Sequence, residues 1–148
     1  MSRKYSISGT DTNTASTTGL AFAGTTAVRP MLYDVIISPQ GVAPADNACE
    51  YQIKRHTAIG TSTAVTPQAL DSGDPAAATT AGVNHSVEPT YTANAILLDV
   101  GVNMRATFRW VAVPGGELKC PASTNGLGLF FAAVNSAFGV AMTLHFEE

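Results

Sequence analysis

The chain predicts an all-β fold, a β-sandwich of the jelly-roll kind, and three observations carry that expectation. Short runs of alternating apolar and polar residues recur along it, and Gly, Pro, Asn and Asp punctuate them. No stretch carries the apolar stripe of an amphipathic helix. At 148 residues the chain is long enough for one core that buries roughly two-thirds of its unfolded surface.

The elements follow in order. Residues 1–27 read as an N-terminal arm or loop-rich segment, because Gly9 to Gly24 is a Ser/Thr/Gly/Ala stretch of low complexity. Within it only LAFA at 20–23 suggests a short strand. The sandwich domain then spans 28–148. RPMLYDVIIS at 29–38 is β-rich, and SPQGVAPADNA at 38–48 is a loop. EYQIKRHT at 50–57 alternates, with Tyr51 and Ile53 inward and Gln52, Lys54 and His56 outward. TSTAV at 61–65 continues the pattern. A long irregular stretch runs from Pro67 to about Ala93, with a hint of one helical turn at PQALD; a loop that long is usually functional or lies at an interface.

Strands resume with AILLDV at 95–100 and RATFRWVAV at 105–113, followed by the turn PGGE at 114–117. GLGLFFAAV at 126–134 reads as a strand buried on both faces. The last run is the clearest: Val140, Met142, Leu144 and Phe146 alternate with Ala141, Thr143, His145 and Glu147.

Composition narrows the function. The charged fraction is 13%, about half of the roughly 25% usual in soluble domains. Ser, Thr, Asn, Gly and Ala must therefore cover much of the outside, and such a surface is cheap to desolvate against other protein. A net charge of −3 with no basic block argues against nucleic acid. The longest apolar run, LGLFFAAV at 127–134, falls short of the roughly 18 residues of a membrane span. The start lacks a signal peptide's apolar stretch, so synthesis in the cytosol is the expectation. Cys49 and Cys120 lie far apart without CxxC spacing, which leaves two thiols or one disulfide and no zinc site.

The chemistry-bearing stretch is GVNHSVEPTYT at 82–92, which sets His85, Glu88 and Tyr91 at three-residue intervals. A metal needs three or more converging ligands. His56 and His145 sit at outward strand phases, and the chain has no HxH pair of the kind that metal-binding jelly-roll enzymes carry. No GxSxG is present either. The stretch therefore reads as a polar loop held extended before Pro89, with His85, Glu88 and Tyr91 as subunit-contact candidates beside Arg105 and Arg109. DSGDP at 71–75 reads as Asx turns rather than a calcium site. The expectation is a protein that is not an enzyme and uses no cofactor.

Phrases from roughly residue 50 to 148 carry a resemblance. VTPQALDSGDPAA, GVNHSVEPTYTANAILL, NMRATFRWVAVPGGEL and the terminal HFEE resemble small head proteins of tailed bacteriophages, the capsid decoration or cement proteins. The resemblance implies a homotrimer on the outer surface of the virion's capsid, made in the host cytoplasm, whose partner is the major capsid protein and which staples neighbouring capsid subunits together. It also implies an arm that lies on the shell, for which Ser2, Arg3, Lys4, Tyr5, Ser6 and Ile7 are the capsid-contact candidates, with strand addition as the mode. Deleting residues 1–9 is then expected to leave folding and trimerisation intact while abolishing capsid binding. Two alternatives stand beside this: a head-fibre or tail component of the same virion, and a glycan-binding sandwich that uses Trp110 and Tyr91.

Overall fold

A computed structural model describes residues 2–121 and 123–148, and it is a β-sandwich. Its strands are β1 (Lys4–Asn13), β2 (Thr17–Ala23), β3 (Met31–Pro39), β4 (Ala48–Ala58), β5 (Thr61–Val65), β6 (Gln68–Ala69), β7 (Thr80–Val87), β8 (Thr90–Asn103), β9 (Phe108–Val111), β10 (Leu118–Lys119), β11 (Gly126–Val134) and β12 (Phe138–Glu147). One sheet runs β10-β3-β12-β1-β6, with β9 also on β3; the other runs β5-β7-β2-β11-β4-β8. All pairings are antiparallel.

The core lies between the sheets. Val140, Met142, Leu144 and Phe146 of β12 are buried, while the alternate residues of that strand face out, as the period-two pattern predicts. Phe146 stacks on Tyr5 within its own sheet and on Phe22 across the gap, both at 5.5 Å between ring centroids. Both cysteines are free and buried, and burial pushes the Cys120 thiol up to about 12.

Residues 2–27 are not an arm, which corrects the expectation for 1–27. Met1 lies outside the described residues. From Lys4 onward, β1 lies between β12 and β6 and pairs with β12 over its full length. Tyr5 and Ile7 are buried, whereas Lys4, Ser6, Ser8 and Thr10 point the other way. The polar half of that alternation is what gives the text its arm-like composition. The segment from 17 to 23 is β2, packed centrally between β7 and β11.

The expected loop over 67–93 is also corrected: it holds β6, β7 and the start of β8, and the irregular part is 70–79. Within it Asp71 does form the expected Asx turn, its Oδ1 accepting the Gly73 N–H at 2.9 Å. The chain end is pinned too, since the Glu148 carboxylate accepts the N–H groups of Ala78 and Thr79 at 3.1 and 2.7 Å.

His56 is buried rather than solvent-facing. The outward side of β11 carries only hydrogen at Gly126 and Gly128, which leaves a trough in the sheet surface. His56 fills it over Gly126 and Tyr91 fills it over Gly128, so neither glycine has room for a Cβ. The His56 Nε2 pairs with the Phe22 carbonyl at 3.1 Å, and burial lowers its pKa to about 4.

Candidate functional site

The residues singled out from sequence fall into separate places. Of the capsid-contact candidates, Tyr5 and Ile7 are core, and Ser2, Arg3, Lys4 and Ser6 are tied down. The Ser2 hydroxyl donates to Glu147 at 2.7 Å, Arg3 and Glu148 exchange backbone hydrogen bonds at 3.1 and 2.9 Å, and the Lys4 ammonium sits 5.5 Å from the centre of the Tyr33 ring. Ser6 pairs with His145 of β12 and Gln68 of β6. Among the described residues, 2–7 do not form a free arm.

Tyr91 is an internal lid rather than an exposed contact. Its hydroxyl shares a 2.7 Å hydrogen bond with Thr18, its ring meets Phe130 edge-on at 5.3 Å, and Lys54 caps both rings. Burial raises its pKa. Tyr91 is thus half-buried with its ring engaged by Thr18, Phe130 and Lys54, and Trp110 is half-buried against the core.

Arg105 lies in the turn after β8, its backbone N–H on Asn103 at 2.9 Å. Arg109 stands on the other sheet and grips Asp34 of β3. Asp34 also accepts from His145 at 3.0 Å. Burial works against its carboxylate, yet the hydrogen bonds from Arg109 and His145 hold its pKa below the ordinary value. Sequence reading missed Asp34 because a lone carboxylate inside LYDVII gives no sign of which partners will cover it.

His85 and Glu88 do come together, with a third group that sequence reading missed. Along β1 the inward phase runs Tyr5, Ile7, Gly9, Asp11; along β7 it runs Ala81, Val83, His85. A Cβ at Gly9 would run into Val83, so the two sheets touch there. One step further along both strands, the sheets part, and Asp11 and His85 share the cleft between them. The cleft holds ≈ 360 Å³ and is lined by Asp11, His85 and Glu88 with the hydroxyls of Thr12, Thr17 and Ser86 among others. The signal for Asp11 was its phase with Tyr5 and Ile7.

The electrostatics of this cleft are unusual. Burial raises the Asp11 pKa, against hydrogen bonds from the Thr12 and Asn84 N–H groups. Burial lowers that of His85, against the pull of Glu88 and Asp11, so the imidazole is neutral near pH 7. Both His85 ring nitrogens and Glu88 Oε2 are shielded from solvent and make no hydrogen bond. Among the described residues no group of three or more His, Cys, Asp or Glu is placed to hold a metal.

One side of the sandwich is open. Strand β8 ends the second sheet and turns through 104–107 into β9, which lies at the margin of the first, so both free edges share a side. From Ile96 to Asn103 the β8 edge carries a single charge, Asp99. Ile96, Val111 and Val113 are exposed there, at 43%, 54% and 72%. Leu98, Val100, Val102, Phe108 and Trp110 are only partly buried against the core. Neither a family model, nor a curated protein, nor a solved structure matches this chain.

Proposed function

We propose that this chain is a structural protein of a tailed-bacteriophage virion, which binds the outside of the head as a homotrimer and staples major capsid subunits together. The observation that carries the reading is the open β8–β9 side, where the β8 edge from Ile96 to Asn103 carries one charge, Asp99, and β9 carries Arg109, whose charge is matched by Asp34. An unpaired edge without Lys, Pro or a covering loop is a template for pairing with another chain, and monomeric proteins ordinarily block it. Burying Ile96, Val111 and Val113 between copies completes a core that one copy leaves unfinished. The Ser/Thr/Ala/Gly-rich remainder of the surface suits broad, permanent contact with a shell.

The strand order adds support. We read β9-β3-β12-β1 facing β2-β11-β4-β8 as the two sheets of a jelly roll, with β5, β6 and β7 inserted at the far margin. Because β1 is part of the core, we assign the docking element to the sandwich itself rather than to the N terminus. Stapling then acts by multivalency: three weak contacts on one trimer raise avidity ~10²-fold or more. A ligand that prefers the expanded shell stabilises that shell by mass action.

Ile96→Lys with Val111→Lys tests the surface. Both residues are exposed, so the double variant keeps its circular dichroism spectrum, and by light scattering it is a monomer where the parent is a trimer. A variant that remains trimeric contradicts assembly through this side.

A further inference from the structure

We infer that the cleft between Asp11 and Glu88 receives the guanidinium group of an arginine side chain presented by a partner protein. Four observations lead there. The first is charge: two carboxylates line one cleft, and among the described residues neither pairs with a Lys or Arg. Asp11 accepts backbone N–H groups, that of Thr12 at 2.7 Å, but those donors carry no net charge, and two shielded anions without a counter-cation leave the cleft with an unmatched negative charge.

The second is the state of the polar atoms. Glu88 Oε2 and both nitrogens of the His85 ring are shielded and unpartnered. The His85 ring has only loose contacts with the Thr18 and Ile59 backbone, outside hydrogen-bond geometry, and nearly all shielded polar groups in native proteins find a full partner. A small opening of the Glu88 side chain hands its oxygen to an incoming donor, and a neutral imidazole nitrogen is an acceptor as well.

The third is placement. Asp11 comes from β1 of one sheet and His85 from β7 of the other, so the acceptors face each other across the gap. A guanidinium carries five N–H donors in a planar fork and bridges acceptors on two walls; an ammonium is a point charge. Thr12, Thr17 and Ser86 also line the cleft.

The fourth points to a protein as the source of the cation. A second cleft of ≈ 770 Å³ shares Glu88 and is mostly apolar, with Ala23, Ile59 and Val87 among its walls, and Val87 is 57% exposed. A charged socket beside an apolar shelf is the arrangement that an Arg-centred protein contact uses. The inference goes beyond the virion reading and does not depend on it.

The test is an NMR titration of the whole ¹⁵N-labelled protein with N-acetyl-arginine N-methylamide, and with N-acetyl-alanine N-methylamide as the uncharged control. The expected result is saturable shifts at the amides of Thr12, Thr17, Asn84, His85 and Ser86 with the arginine probe alone, weakened by about 0.5 M salt. In Asp11→Asn with Glu88→Gln, binding falls roughly tenfold or more. The His85 ring of the parent protein provides a second readout that needs no variant. A bound cation makes the ring harder to protonate, so its titration midpoint moves to lower pH when the probe saturates. Equal shifts with the alanine amide, an unmoved His85 midpoint, or undiminished binding in a folded double variant each overturn the inference. The titration contains no capsid, so its failure leaves the virion proposal standing.

Discussion

Arg109 grips Asp34 with both arms of its guanidinium, Nε to Oδ1 at 3.0 Å and Nη2 to Oδ2 at 2.8 Å. The partners come from neighbouring strands: Arg109 of β9 stands across from Ile36, two residues along β3 from Asp34. The carboxylate is 4% exposed and the guanidinium 59%, so the pair is a lid over a buried charge rather than a loose surface contact. Arg109→Ala leaves Asp34 with His145 alone and is expected to lower the urea denaturation midpoint, because the buried carboxylate loses two charge-assisted hydrogen bonds. Arg109→Lys recovers only part of that, because an ammonium cannot reproduce the fork. An unchanged midpoint in Arg109→Ala contradicts this role.

His56 gives stability a pH dependence with a definite sign. Its pKa is lowered from 6.5 to about 4, so between these values the unfolded chain binds the proton that the folded protein refuses. The contribution is complete above pH 6.5 and is lost as pH falls toward 4. A depression of this size corresponds to roughly 3 kcal/mol. Stability measured against pH is expected to fall across that window, and less steeply in His56→Gln. An equal fall in the variant assigns the acid sensitivity to other groups.

Gly128→Ala tests the Tyr91 lid. The new methyl group would stand where the Tyr91 ring and hydroxyl lie, so the ring must lift and its hydrogen bond with Thr18 breaks. The expected cost is about 1–3 kcal/mol. Combining it with Tyr91→Ala, which removes the clash, is expected to cost less than the sum of the single changes. Strict additivity means that the two residues do not meet.

Deleting residues 1–9 is expected to abolish the folded state. It removes Tyr5, Ile7 and most of a strand that lies between β12 and β6. Circular dichroism and a thermal melt decide it: a truncated chain with a cooperative transition near that of the parent contradicts the placement of β1.

The contrast between β12 and β1 explains what the text of the chain makes legible. In β12 every inward residue is large and apolar, so the period is unmistakable. In β1 the inward phase is Tyr5, Ile7, Gly9, Asp11 and Asn13, and only its first two members look like core. Strand β7 hides for a related reason: its inward phase holds only Ala81 and Val83 before it reaches His85, and Asn84 takes a positive φ of 51°. His85 and Glu88 were readable as candidates, but their meeting with Asp11 required the pairing of sheets that places β1 opposite β7. No local pattern encodes that pairing. The trough over Gly126 and Gly128 is likewise a tertiary fact, since only the register of β4 on β11 brings His56 to Gly126.

Co-sedimentation with isolated expanded heads that lack this protein tests the central proposal most directly. The head proposal predicts saturable binding, with a bound count that is a multiple of three per site, and a trimer in the unbound fraction by light scattering. A monomer that stays in the supernatant at every head concentration contradicts it.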